Sequence, residues 1–418
     1  MKTLLVIGYV WPEPNSSAAG SRMLQVLAAF QQQGYHITYA SPAEDSLHAV
    51  SLAELGIEKA TIELNSASFD AFVQTLNPSA VLFDRFMMEE QFGWRVAKHC
   101  PNALRILDTE DLHCLRHTRH QALKQMRPWQ QQDLNTEVAH REIAAILRCD
   151  LTLMISEYEM ELLQTYFNVD ARLLSYTPFM LQANEAHSRA ATHSSLAFAQ
   201  RQHFISIGNF RHEPNWDAVL HLKQALWPAI RKQLPKAELH IYGGYPPKKA
   251  TQLHNEQQGF LVKGWAESAD AVIGQARVLL APLRFGAGLK GKLLDAARLG
   301  TPAVTTSIGA EGMYGDAPQK PSLVAEDDDA FIAHAVSLYQ QADLWQRLHQ
   351  AGPQIIERRF AFAEHATALM ARVEAIANNL TGHRQCNFYG AMLQHHSMKS
   401  TQYMAQWIEA KNKNSQQS

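Results

Sequence analysis

Two clusters in this chain have residue types and spacing suited to chemistry. The first is Gly286-Ala287-Gly288-Leu289-Lys290-Gly291-Lys292, with Asp295 three residues further on. Glycines let backbone N–H groups approach an anion, and a helix N-terminus adds partial positive charge. Lys290 and Lys292 bring two full charges to the same place, so the stretch suits a diphosphate. Lys292 and Asp295 share a helix face, where they either hold a ligand together or form a surface ion pair. The second cluster is Asp108, Glu110, Asp111 and His113 in DTEDLHCLR. Carboxylates beside an imidazole can bind a hydroxyl or take its proton as a general base. The bland alternative is a cap, with Asp111 at the N-terminus of the following helix. Single residues add to these clusters. Arg211 in GNFRHEPN has a guanidinium that can grip phosphate bidentately. Glu311 in SIGAEGM either faces a ligand or caps a helix, and Asp84 and Arg85 end a strand at a cleft edge. Ala19 and Gly20 are small enough for a ligand to approach the backbone, with an N-cap at Ser17 or Ser21 as the alternative.

The elements that position these residues follow from periodicity. Val278 to Leu283 is an apolar run of strand length; Leu289, Leu293 and Ala296 share a helical face; Gly300 stops that helix; Pro302-Ala303-Val304 starts another strand. The glycine cluster therefore follows the carboxyl end of a strand, where open α/β sheets bind ligands. The same βα alternation runs from TLLVIGY to ARLLSYT, and restarts at HFISIGNF. It predicts an α/β protein with two Rossmann-like, doubly wound domains facing across a cleft. The expected boundaries are residues 1–177 for the first domain, 178–202 for a linker and 203–360 for the second domain. A C-terminal helix at 361–380 is expected to return to the first domain, and 381–418 is a polar, His-rich tail whose segments MLQHHSM and QYMAQWIEA can form a short amphipathic helix.

Composition bounds the function. The chain has 418 residues, 46% hydrophobic and 19% charged, with a formal net charge of −2, which argues against bulk nucleic-acid binding. Cys100, Cys114, Cys149 and Cys386 are scattered without metal-ligand spacing, so free thiols in a reducing compartment and no metal site are expected. His383, His395 and His396 lack partners at metal-ligand spacing and are not a site. The first apolar run, Leu4 to Val10, is too short for a signal segment or a membrane span. A cytoplasmic protein with at most peripheral membrane contact is expected. The loop from Gly286 to Gly291 also fits G-x-G-x-x-G, but it follows a late strand and not the first of a βαβ pair, which argues against NAD. Trp216, Trp227 and Trp265 read as packing residues.

At this point the residues resemble a known family. ISIGNFRHEPNWDAVLHL, LPKAELHIYGGYPP with VKGW, and above all VLLAPLRFGAGLKGKLLDAARLGTPAVTTSIGAEGM are similar to the GT-B glycosyltransferases of the retaining family-four (group 1) type. YVWPEPNSSAAGSRMLQVLAAFQQQGYHITYAS and LDTEDLHCLR carry the likeness into the first half, which leaves only the tail beyond about residue 380 unmatched. The resemblance implies a transferase that moves a sugar from a nucleotide-sugar donor, UDP- or GDP-linked, to a hydroxyl of a glycan or lipid-linked acceptor, without metal or other cofactor, in polysaccharide biosynthesis. It implies that Gly286, Ala287, Gly288 and Leu289 offer amides to the diphosphate, with Lys292 and Arg211 as nearby cations and Asp295 holding the ribose hydroxyls. Asp295 stands where the family usually has glutamate, and the partner glutamate eight residues earlier is Ala287. A carboxylate one methylene shorter still accepts two hydroxyl bonds. These departures leave open a sugar-nucleotide epimerase or hydrolase on the same fold, and a non-catalytic binding protein.

Overall fold

In the computed structural model the described residues are 2–182 and 196–416. The middle of the expected linker, 183–195, lies outside them.

Strands β1 (Lys2–Ile7), β4 (Ala80–Asp84), β5 (Leu104–Asp108) and β6 (Leu151–Met154) are buried along almost their whole length. Burial on both faces is what a parallel sheet between two helical layers requires. With β2 (Tyr35–Ser41), β3 (Glu58–Thr61) and β7 (Leu174–Tyr176) they form one parallel sheet of order β3-β2-β1-β4-β5-β6-β7. The order reverses between β1 and β4, which opens a crevice at their carboxyl ends. The helices that flank this sheet and shape the crevice are α1 (Ala18–Gln32), α2 (Ser68–Leu76), α3 (Phe86–His99), α4 (His113–Lys124), α5 (Glu137–Arg148) and α6 (Glu157–Thr165).

The second half repeats the plan. Strands β8 (Phe204–Ile207), β9 (Leu239–Tyr242), β10 (Phe260–Gly264), β11 (Val278–Ala281), β12 (Ala303–Thr306) and β13 (Ser322–Ala325) make a parallel sheet of order β10-β9-β8-β11-β12-β13. Its reversal lies between β8 and β11. Those two strands are followed by the segments holding Arg211 and the glycine cluster.

The helix Phe362–Asn378 leaves the second domain and buries Phe362, Leu369, Val373 and Ile376 in the core that also holds Val26 and Phe30 of α1. The two chain crossings between the domains are tied together. Leu181 N–H donates to the Phe360 carbonyl at 2.7 Å, and Phe362 N–H donates to the Leu181 carbonyl at 3.0 Å.

The tail is more ordered than its polar composition suggests. It folds as Leu380–Gln385 and then a long helix, Phe388–Gln416, that packs on α3 and α5. Hydrogen bonds do much of the anchoring. Arg384 pairs with the buried Asp150 at 2.7 and 2.8 Å, and His383 Nε2 lies 2.8 Å from the Asp150 carbonyl. Polar anchors leave no apolar stripe in the sequence, so periodicity could not reveal them.

Candidate active site

The two carboxyl edges meet at the glycine cluster. Gly286 has φ 155° and Gly288 φ 63°, conformations that L side chains rarely adopt. A Cβ on Gly288 would also come within 2.9 Å of Asp111 Cβ, and one on Gly291 would strike Ala18 Cβ at the start of α1. Glycine is therefore needed twice over: for backbone shape and for close approach of the opposite domain. The helix Gly291–Arg298 starts directly after the loop.

Three side chains of the first domain clamp the loop. Arg119 of α4 is buried; it donates to the Gly286 carbonyl at 2.8 Å and bidentately to Glu311 at 2.9 and 2.8 Å. Glu159 of α6 accepts from Gly288 N–H at 2.7 Å and from Leu112 N–H at 3.1 Å. Burial first, then the Asp111 charge, pushes the Glu159 carboxyl up to about 8. His120 of α4 stacks on Phe285 at 4.1 Å. Among the amides expected to face a diphosphate, the Gly288 N–H is thus taken by an internal carboxylate. The Glu311 carboxylate faces α4 and joins the domains through Arg119.

The lysines behave differently. Lys290 is buried, and its ammonium donates to the carbonyls of Ala287 at 3.1 Å and Gly288 at 2.5 Å. Lys292 donates to Asn215 Oδ1 at 2.7 Å. Among the described residues neither has a carboxylate in ion-pairing distance. Burial lowers Lys290 to about 8; burial, then the neighbouring Lys290 charge, lowers Lys292 to about 7. The alternative of a surface ion pair between Lys292 and Asp295 does not hold: Asp295 lies 3.3 Å from Arg298, which also holds Asp270. Arg211 is exposed, with its guanidinium 3.6 Å above the Tyr245 ring, and its backbone N–H donates to Asn209 Oδ1 at 2.8 Å.

On the opposite edge, Asp108 ends β5 with no exposed surface. Arg22 of α1 donates to both its oxygens at 2.6 and 2.7 Å, and also to the Thr177 carbonyl. Asp108 therefore cannot touch a substrate, contrary to the catalytic part expected of it; it fixes α1 against the sheet. Asp111 pairs with Arg116, and His113 Nε2 sits 3.5 Å from Asp111 Oδ1. Burial alone would raise Asp111, but Arg116, His113 and His212 outweigh it and hold its carboxyl below the usual range. Burial lowers His113 to about 4 and, with the Arg116 charge, His212 to about 3, so both imidazoles are neutral at pH 7. Asp111 does not cap α4. Glu142 of α5 does so, accepting from His113 N–H at 3.0 Å and Cys114 N–H at 2.9 Å.

Glu110, φ 62°, is almost buried beside Asp108 and 3.9 Å from Arg22. Burial and the Asp108 charge raise its carboxyl well above the usual range. Asp84 accepts from Tyr9 N–H at 3.0 Å, and Arg85, φ 71°, lies beside it with its guanidinium over Tyr9. Ala19 and Gly20 form the first turn of α1. Ser17 caps it, accepting from Gly20 N–H at 3.1 Å, and a Cβ on Gly20 would strike the Glu13 backbone. Close chain packing alone accounts for glycine at position 20.

Arg22, Arg119, Glu142 and Glu159 were not singled out by sequence reasoning. Each has a signal in its helix, Arg119 being in line with the buried Leu115 and Ala122. Arg22 is in line with Val26 and Phe30, Glu159 with Leu162 and Leu163, and Glu142 with Ala145 and Ile146, all buried. A charge in register with an apolar stripe must be paired indoors. Among the described residues no group of three or more His, Cys, Asp or Glu is arranged to hold a metal ion.

Residues 201–341 match the sequence profile of the glycosyl transferases group 1. Solved structures share the architecture. Sucrose-phosphate synthase from Thermosynechococcus elongatus superposes with TM-score 0.65 at 14% identity, over 90% of this chain and 99% of that one. Anabaena HepE, in complex with UDP and glucose, superposes with TM-score 0.65 at 10% identity, over 90% and 100%. The lipopolysaccharide outer core galactosyltransferase WaaB gives TM-score 0.58 at 14% identity, over 90% and 99%. At such identities the likeness is one of fold, and that fold is GT-B. No curated protein matches the sequence.

Proposed function

We propose, from the match of residues 201–341 to the group 1 glycosyl transferases and from the GT-B fold, that the protein moves a sugar from a nucleoside-diphosphate donor to a hydroxyl of a glycan or lipid-linked acceptor, with retention. The observation that carries this reading is the pair of desolvated lysines, Lys290 and Lys292, held only by neutral oxygens beside the glycine turn. Two ammonium groups with no carboxylate in ion-pairing distance favour an added anion, and a diphosphate supplies two charges. HepE, bound to UDP and to UDP-glucose in its structures, supports a uridine donor.

In this reading Lys292, Lys290 and Arg211 stabilise the diphosphate as negative charge develops on it. Asp295 accepts the ribose hydroxyls. The charged Asp111 and the neutral His113 on the facing edge orient the acceptor hydroxyl, and the clamped loop keeps water out. The leaving diphosphate needs no metal here.

The test is nucleoside-diphosphate release from UDP- and GDP-sugars, with and without glycan or lipid-linked acceptors. Release that depends on acceptor is expected. Equal consumption without any acceptor would point to a hydrolase or epimerase instead, and no consumption of any donor to a binding protein.

A further inference from the structure

The long terminal helix Phe388–Gln416 packs on the protein along one stripe. Met398 and Ala405 pack against Trp94, Gln394 donates to the Arg148 carbonyl at 3.0 Å, and Glu409 lies 3.8 Å from Arg95. At 100° per residue these four fall within an arc of about 60°. The opposite side carries Phe388, Tyr389, Met392, Tyr403, Met404 and Trp407 within an arc of about 160°. All six are exposed, Phe388 at 74% and Trp407 at 61%. Six of the twelve large exposed hydrophobics among the described residues thus lie on this helix, where scattered single ones are the norm for a soluble surface. From Phe388 to Trp407 the face runs for about 28 Å.

Its charge identifies the occupant. Lys399 and Lys411 lie in the same arc, with the Lys411 ammonium 5.3 Å from the Trp407 ring. Glu409, the helix's sole acidic residue, is turned toward the protein. A second copy of the chain would set this cationic face against itself, with no acid to meet it. Tyrosine and tryptophan with lysine are the side chains that settle at the headgroup level of a bilayer, the rings half-immersed and the ammonium groups at phosphate. At the start of the helix the face runs into a cavity of about 230 Å³, whose walls include Leu147, Leu173, Phe388 and Tyr389 beside Arg172 and His383. No helix among the described residues is long and apolar enough to cross a membrane, so the contact is one of lying on the surface.

We propose that the helix Phe388–Gln416 docks the protein on an anionic lipid surface, with Phe388, Tyr389, Tyr403 and Trp407 in the headgroup region and Lys399 and Lys411 against lipid phosphate. The proposal does not depend on the sugar-transfer reading. The helix rides on α3 and α5, so it would hold the first domain at the lipid.

The experiment is co-sedimentation of the full chain with vesicles of equal parts phosphatidylcholine and phosphatidylglycerol, against vesicles of phosphatidylcholine alone. The wild type is expected to bind the anionic vesicles about tenfold more tightly than the neutral ones. Phe388→Ser/Tyr403→Ser/Trp407→Ser should lose vesicle binding and keep the wild-type melting temperature, because these side chains are exposed. Lys399→Gln/Lys411→Gln should keep weak binding and lose the preference for anionic lipid. Three results would overturn the proposal: no binding to anionic vesicles, unchanged binding by the aromatic variant, or a wild-type dimer in light scattering that the aromatic variant dissolves.

Discussion

The two edges of the cleft carry their charges in opposite ways. On the first domain's edge the named carboxylates have partners: Asp108 has Arg22, with Glu110 3.9 Å from the same guanidinium, Asp111 has Arg116, Asp84 has Arg85, and Glu142 and Glu159 accept backbone amides. On the second, Lys290 and Lys292 hold only carbonyl and amide oxygens. One edge is a framework in which carboxylates meet guanidinium groups or backbone amides. The other has positive charge in excess, and an added anion gains most there.

The largest effect should come from breaking the paired side. Arg22→Leu leaves Asp108 charged, buried and unpartnered, and should cost about 3–5 kcal/mol in chemical denaturation. Wild-type stability in that variant would mean that the pair is no framework. Breaking the cationic side should look quite different. Lys292→Ala should lower turnover about 10²–10³-fold, the scale of losing one stabilising donor. Its stability should hold or rise, because a lysine that burial pulls down from 10.5 to about 7 is a cost to the fold that is full below pH 7 and fades only as pH rises towards 10.5.

Asn215→Asp sharpens the contrast by giving Lys292 a carboxylate. Titration calorimetry should then show nucleoside diphosphate binding about tenfold weaker, since the new acid competes with phosphate. The smallest effect concerns the clamp. The Glu159 carboxyl titrates near 8 in the folded chain, against about 4.5 when unfolded. The folded state therefore binds the extra proton between those values, and stability falls as pH rises through that window. Glu159→Gln keeps an acceptor for the amides of Leu112 and Gly288, and should flatten the melting temperature across pH 5 to 8 relative to wild type. An unchanged slope would place the titration elsewhere.

The same contrast explains what the sequence could disclose. The βα alternation reported both sheets, because a parallel strand buried on both faces is a short apolar run, as in Leu151–Met154. The cradle was legible because its parts are neighbours in the chain: strand β11, the glycines of 286–291 and the helix that follows. The framework was not, because its pairs are distant: Arg22 with Asp108, Glu159 with Gly288, Arg119 with Glu311. Local pattern marks only one member of each, as a charge on an apolar face. Asp108 looked catalytic for the same reason. Its place at a strand end is visible in the sequence, and the arginine that buries it is not.

The most direct test of the cationic loop is thermal stabilisation by UDP and GDP, for wild type and Lys292→Ala side by side. At about a hundred times its dissociation constant, a nucleoside diphosphate should add about 2.7 kcal/mol to the wild type. It should add almost nothing to the variant at the same concentration. Equal stabilisation of both proteins, or none of the wild type by any nucleotide, would contradict the assignment of this loop to the donor diphosphate.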